Sequence, residues 1–139
     1  MRAREEVISE LVQVWLDKAE VDFGGARVLL REDRYANLVG FLSQQAAEKL
    51  LKALLTHHQV EFPKTHELDD LLKLLEPAEP RLARSLAGIA ELNKYGVEVR
   101  YPTQMPELTA ETANAALRLA AQVREAVYAA LGEAVPPVR

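Results

Sequence analysis

The sequence predicts an all-α protein, an antiparallel up-and-down helical bundle with four long helices and one short helix. Apolar residues recur every three to four positions through most of the chain, which is the period of a helix with one buried face. Hydrophobic residues make up 49% of the chain and aromatics only 6%, so the core is aliphatic and favours helices. With 139 residues, we expect one domain over 1–139, ending in a flexible tail over 131–139.

The first helix is predicted over about residues 5–31. Its inward stripe is predicted to be Val7, Leu11, Trp15, Ala19, Phe23, Ala26 and Leu30. Gly24 and Gly25 interrupt this helix, and each glycine costs about 1 kcal/mol in a helix interior. Close packing against a neighbouring helix would explain two small residues there.

The second helix is predicted over residues 36–59. Its core stripe includes Phe41, Leu50 and Leu54, whereas Ala47, Leu51 and Leu55 lie to the side of that stripe. Surplus apolar surface on a small domain usually meets a partner. The pattern therefore predicts a symmetric homodimer that buries apolar surface of the long helices.

The remaining chain predicts a short third helix over about 66–75, a fourth over about 80–94 and a last one over 110–131. Thr65 is expected to cap the third helix and Thr109 the last one, because a threonine oxygen accepts from free amides at a helix start. Gly132 is expected to end the last helix. Residues 95–108, with Gly96 and two prolines, are expected to form the longest loop.

Charge and composition exclude several functional classes. The net charge of −4 and the absence of cysteine argue against a general nucleic-acid coat, a disulfide scaffold and a thiolate metal site. RNA is therefore not an expected ligand. No signal region and no apolar run of about 18 residues is present, so we expect a soluble cytoplasmic protein without a membrane partner.

One polar strip follows the second helix beside its core face. Gln45, Lys49, Lys52 and Thr56 are spaced by 4, 3 and 4 residues and share a face, while Gln44 and Glu48 form a flanking pair. Two readings stay open: a solvated helix edge, or a site for an anion or a protein partner.

Four motifs resemble the HEPN family (higher eukaryotes and prokaryotes nucleotide-binding domain). The segment FLSQQAAEKLLKALL at 41–55, the turn PKTHEL at 63–68, Tyr95 with VRYP at 99–102, and Trp15-Leu16 with Ala19 and Asp22 occur in family order. The resemblance implies a helical-bundle fold, a homodimer and a connection to nucleotides. It further implies, as a partner, a minimal nucleotidyltransferase protein in a toxin–antitoxin-like pair.

The resemblance also raises the question of ribonuclease activity. Many family members have an arginine followed after four to six residues by a histidine, which would serve as acid or base while the arginine holds phosphate. The matching arginine here is Arg100, and Met105, Pro106 and Glu107 stand where the histidine would fall. We therefore expect a non-catalytic module that binds a nucleotidyltransferase, a nucleotide such as ATP or GTP, or both. The alternatives are a metal-independent ribonuclease with a divergent site and a ligand-free scaffold dimer.

The expected binding residues are Gln45, Lys49, Lys52, Arg100 and Tyr101, in a basic recess at the bundle surface or dimer cleft. Their alternative roles are a solvated edge for the lysines and loop packing for the arginine and tyrosine. His66 with Asp69 and Asp70 is interpreted as a helix-start cluster in which acids offset the dipole, rather than as a metal site. No catalytic residue, metal or cofactor is predicted.

Overall fold

The computed structural model describes residues 3–96 and 107–138, and both stretches contain helices and no strands. The all-α class is confirmed. The elements are α1 (Arg4–Leu29), a 3₁₀ turn (Asp33–Tyr35), α2 (Ala36–His57), α3 (Leu68–Leu75), α4 (Pro80–Ser85), a 3₁₀ helix (Ala87–Tyr95) and α5 (Ala110–Leu131). No helix in these stretches is long and apolar enough to cross a membrane.

Helix α2 is the centre of the bundle, since α1, α3, α5 and the 3₁₀ helix all contact it. Because neighbours surround it on several sides, its apolar residues are buried well beyond one stripe. Ala47, Leu51 and Leu55 are all fully buried within this single chain. These three residues therefore leave no apolar surface for a partner, and the assembly hypothesis loses the observation that motivated it.

Helix α1 buries the predicted face from its middle to its end but not in its first turns. The buried positions are Val12, Leu16, Ala19, Phe23 and Ala26, so the middle and end of the expected stripe face inward. Val7 and Leu11, which the pattern placed in the core, are instead exposed. The N-terminal turns of α1 offered two apolar faces, and the bundle covers the one that carries Val12.

The predicted fourth helix over 80–94 is an α-helix only in its first part. Helix α4 ends at Ser85, Leu86 adopts φ −102° and ψ 11°, and the chain continues as a 3₁₀ helix. A 3₁₀ helix has three residues per turn, so residues at i and i+3 lie above one another. Leu86, Ile89, Leu92 and Tyr95 follow that spacing, and all four are buried. The apolar period of three therefore fits the 3₁₀ form better than an α-helix.

Two of the three predicted helix ends are confirmed. The Thr109 oxygen accepts from the Thr112 amide at 3.0 Å, and Gly132 ends α5 with a left-handed φ of 73°. Thr65 does not cap α3, because that helix begins at Leu68 and Thr65 accepts from the Glu67 amide instead. The acceptor for the Leu68 amide is a side chain remote in sequence, as described below.

The glycine pair in α1 is not required by packing. A Cβ added at Gly25 would lie at an ordinary 3.5 Å from Leu42, and one at Gly24 would meet nothing within 4 Å. At the other end of the chain, the tail expected to be flexible contacts the bundle. Val135 packs against the core, and the Pro136 carbonyl accepts from Arg124 at 2.6 Å.

Candidate functional site

The most unusual group of side chains lies inside the bundle on α2. Gln44, Glu48 and Lys52 are spaced four residues apart, and all three are buried, with Glu48 4% and Lys52 7% exposed. Glu48 Oε2 accepts from Lys52 Nζ at 3.0 Å, and Glu48 Oε1 accepts from His66 Nδ1 at 2.9 Å. We call these four residues the Glu48 network.

Glu48 is the acceptor that holds this network together. Burial alone raises the pKa of a carboxyl, but the hydrogen bonds from His66 and Lys52 and the positive charge of Lys52 outweigh that effect. The pKa of Glu48 therefore lies below its usual value. An ionised Glu48 beside the Lys52 ammonium makes a buried, mutually neutralised pair.

Lys52 is further enclosed by aromatic rings. Its Nζ lies 5.6 Å from the centroid of Trp15 and 5.7 Å from that of Phe62, within the range of cation–π attraction. The two rings contact each other edge to face, with centroids 6.1 Å apart. An anionic ligand at Lys52 would have to displace both a carboxylate and this aromatic cover.

The other candidate residues of α2 also have partners inside the domain. Lys49 donates to Asp22 of α1, and Gln45 donates to Gln44 at 2.7 Å. Gln45, Lys49 and Lys52 therefore do not converge on one open surface but turn to three separate acceptors. Arg100 and Tyr101 lie outside the described residues, so the predicted basic recess stays a prediction.

The network reaches the segments around it through His66 and Gln44. Gln44 Nε2 donates to the His66 carbonyl at 3.0 Å, which holds the turn before α3 against α2. A Cβ at Gly96 would lie 2.7 Å from Gln44 Cδ, so the end of the 3₁₀ helix packs closely on the Gln44 amide and a larger residue would displace that side chain. Through these contacts Gln44 and His66 connect Glu48 to the turn before α3 and to the end of the 3₁₀ helix.

The start of α3 is fixed by Asn93 of the 3₁₀ helix. The Asn93 amide oxygen accepts from the Leu68 amide, and its nitrogen donates to Asp69, both at 2.9 Å. His66 and Asp69 therefore bind different protein groups and do not share a ligand. In the two described stretches no cluster of three or more potential metal ligands occurs.

An open cationic site lies between α1 and α5. Arg27 and Arg118 line a crevice of about 320 Å³ with Asn114, and its apolar walls are Phe23, Leu30, Leu117 and Ala121. Both arginines are exposed, and within the described residues neither side chain forms an ion pair or a hydrogen bond. We call this site the arginine crevice. Sequence reasoning missed it because its two cations lie at opposite ends of the chain.

One comparison with known proteins identifies a relationship. The family model described as HEPN domain matches residues 12–131, which is most of the chain. No curated protein and no solved structure matches. The matched segment includes the Glu48 network and both arginines of the crevice.

Proposed function

Because the chain belongs to the HEPN domain family, we propose that it is a non-catalytic, dimeric binding module. Its proposed ligands are a minimal nucleotidyltransferase protein, a nucleotide such as ATP or GTP, or both, in a toxin–antitoxin-like pair. The observation that supports ligand binding is the arginine crevice, since its two arginines form no ion pair with any described carboxylate.

The chemistry of the crevice suits a phosphate-bearing ligand. A guanidinium group presents parallel N–H donors that match two phosphate oxygens, and Arg27 and Arg118 approach from two different helices. Apolar walls can cover a base or sugar, and the Asn114 amide can donate to or accept from a base edge. The volume of 320 Å³ lies at the lower end of small-molecule pockets, about 300–1,000 Å³.

The predicted recess of Gln45, Lys49, Lys52, Arg100 and Tyr101 remains the competing location. Binding there would require Lys49 to exchange Asp22 for the ligand. It would also require Lys52 to leave a buried pair, which costs several kcal/mol when a buried charge is left unpaired. The arginine crevice carries neither cost, so it is the first site to test.

Calorimetric titration of ATP and GTP separates the two locations. We expect Arg27→Ala and Arg118→Ala to weaken binding about tenfold or more, while Lys49→Ala leaves it unchanged. Arg81→Ala, an exposed arginine of α4 outside the crevice, is the matched control. Binding lost in Lys49→Ala and Arg100→Ala but kept in the crevice variants would place the nucleotide in the recess. Absence of binding in the wild type would leave only the protein partner or the ligand-free dimer.

The protein partner needs a separate test. We expect a reading frame beside this one to encode a nucleotidyltransferase motif of the type G-S-x-A-x-G-x-x-x-x-S-D-x-D. Co-expression of the two proteins and measurement of the complex mass by light scattering checks this expectation. Two proteins that elute separately at micromolar concentration would remove the nucleotidyltransferase from the proposal.

One observation favours the ribonuclease alternative. His66 is exposed, and its Nδ1 is held by the buried carboxylate of Glu48, an arrangement that orients an imidazole for proton transfer. We nevertheless expect no cleavage of single-stranded or transfer RNA, with or without added metal, because no histidine follows Arg100 at the family spacing. Cleavage that disappears in both His66→Ala and Arg100→Ala would replace the binding module by an enzyme.

A further inference from the structure

The arginine crevice differs from the other arginine contact between α1 and α5. Arg124 of α5 is buried and donates to both carboxylate oxygens of Glu20 on α1, at 2.7 and 2.9 Å. Its guanidinium carbon also lies 4.9 Å from the centroid of the Phe23 ring. Arg27 and Arg118 are exposed and have no carboxylate partner within residues 3–96 and 107–138. Arg124 therefore joins the two helices, whereas the charges of Arg27 and Arg118 are left for a ligand.

The sequence beside each crevice arginine contains no acid that neutralises it from the same helix. Side chains three or four residues apart meet on a helix surface. The residues at those distances from the two arginines are all neutral or basic: Phe23, Gly24, Leu30 and Arg31 around Arg27, and Asn114, Ala115, Ala121 and Gln122 around Arg118. Because a guanidinium group is always ionised, the crevice presents two positive charges to a ligand.

The lining of the crevice is poorly suited to a magnesium ion. In nucleotide sites Mg²⁺ is held by carboxylates together with the phosphate oxygens. Among the described residues, the lining consists of two arginines, one asparagine and four apolar residues, with no carboxylate and no hydroxyl group. A triphosphate that carries Mg²⁺ would therefore bring an ion that finds no anionic protein ligand here. The same ion would cancel part of the phosphate charge that attracts the arginines.

A phosphate monoester matches the crevice in charge and in size. Its second ionisation has a pKa of about 6, so it carries close to two negative charges at neutral pH. Two guanidinium groups can each donate a pair of N–H bonds to its terminal oxygens. The volume of about 320 Å³ lies at the lower end of small-molecule pockets, which favours a nucleotide with one phosphate over one with three.

We propose that the arginine crevice binds a nucleoside monophosphate without a metal ion. The proposal rests on the nucleotide part of the proposed function and narrows that ligand to a dianionic monophosphate. In this arrangement the phosphate lies between Arg27 and Arg118, and the apolar wall that includes Leu30 and Leu117 covers the sugar and the base.

Calorimetric titration of AMP and GMP tests the site. We expect Arg27→Ala and Arg118→Ala each to weaken AMP binding about tenfold or more, because each removes hydrogen bonds between charged groups. Arg118→Lys keeps the charge but not the planar fork, so it should lose less affinity than Arg118→Ala. Arg81→Ala, outside the crevice, is the matched control and should bind AMP as the wild type does. AMP that binds equally to the wild type and to both alanine variants overturns the proposal.

Two further titrations test the charge of the ligand and the role of the metal. Cyclic AMP keeps the base and sugar but carries one negative charge, so we expect it to bind about tenfold more weakly than AMP. Added magnesium chloride should leave the affinity for AMP unchanged and weaken the affinity for ATP. Equal binding of AMP and cyclic AMP, or a magnesium ion that strengthens the binding of either AMP or ATP, overturns the proposal.

The outcomes separate this inference from the proposed function. ATP or GTP that binds more tightly than AMP through the same two arginines would retain the nucleotide and overturn the monophosphate. Failure of AMP, GMP, ATP and GTP to bind the wild type would remove the nucleotide from the proposed function as well. A co-expressed partner protein that is lost from the complex in both crevice variants, with no AMP binding in the wild type, would make the crevice a protein contact and overturn the proposal.

Discussion

Charged residues are usually exposed and apolar residues buried, but helices α1 and α2 both contain exceptions to this rule. On α2, Glu48 and Lys52 are buried inside the bundle, whereas on α1, Val14 and Val21 are exposed to solvent. The buried charges neutralise each other within one turn of helix. The exposed valines have no such partner within residues 3–96 and 107–138.

The difference shows what each helix requires from its surroundings. A central helix can carry charged residues when every donor has an acceptor nearby, as Lys52, His66 and Gln44 have in Glu48. A peripheral helix with apolar residues on its outer face leaves them exposed unless another molecule covers them. The first arrangement stabilises the monomer, and the second is suited to contact with another molecule.

The largest effect on stability is expected from breaking the buried ion pair of α2. Glu48→Ala leaves the Lys52 ammonium buried without a counter-ion, and we expect it to lower the free energy of unfolding by about 3–5 kcal/mol. Urea unfolding followed by the fluorescence of Trp15, the only tryptophan of the chain, measures it. Trp15 also contacts Lys52, so its emission reports on the network itself.

The control for this prediction is Glu91→Ala, which removes an exposed ion pair with Lys94 and should not move the unfolding midpoint. The combined variant Glu48→Leu with Lys52→Met should recover most of the loss, because it removes both charges and keeps similar volumes. Equal midpoints for Glu48→Ala and Glu91→Ala would contradict a structural role of the network.

A smaller effect on stability is expected from shortening apolar side chains, and it should differ between the two helices. Leu51→Ala removes a fully buried side chain of α2 and should cost about 2–5 kcal/mol. Val21→Ala removes an exposed side chain of α1 and should change monomer stability by less than about 0.5 kcal/mol. The measurement is thermal unfolding at protein concentrations that keep the chain monomeric. A large cost for Val21→Ala under those conditions would mean that Val21 packs within the chain.

The smallest effect is expected from pH. The pKa of Glu48 is lower in the folded chain than its ordinary value of 4.5, so the ionised carboxylate favours the folded state. This stabilisation is present above about pH 4.5 and is lost as pH falls through the folded-state pKa. The stability difference between the wild type and Glu48→Gln should therefore shrink from pH 7 to pH 3. A stability difference that stays constant from pH 7 to pH 3 would show that ionisation of Glu48 does not contribute to the loss of stability in acid.

The sequence predicted the helices of this bundle because their signals are local. The apolar period, Thr109 and Gly132 each act within a few residues of the element they define. The change from α-helix to 3₁₀ helix after Ser85 was missed, although the spacing of three from Leu86 to Tyr95 was visible. That spacing is also compatible with one face of an α-helix, so period alone did not decide it.

The candidate site was less predictable because its contacts are not local. Lys49 was recognised as polar, but its acceptor Asp22 lies on another helix. The cap of α3 comes from Asn93, which no pattern near Leu68 indicates. Val14 and Val21 of α1 are apolar in sequence, but only the packing of α1 shows that they point outward.

The two residues Gly96 and Leu108, on either side of residues 97–106, both contact α2, which has a consequence for how this protein can diversify. Gly96 lies against Gln44, and the Leu108 amide donates to Asn37 at 2.7 Å. These two anchors on α2 are seven residues apart, or about 10 Å. The entropy lost on closing a loop grows only with the logarithm of its length, by about 0.6 kcal/mol for each doubling. Residues inserted between Gly96 and Leu108 are therefore expected to cost the bundle little, because both anchors remain on α2.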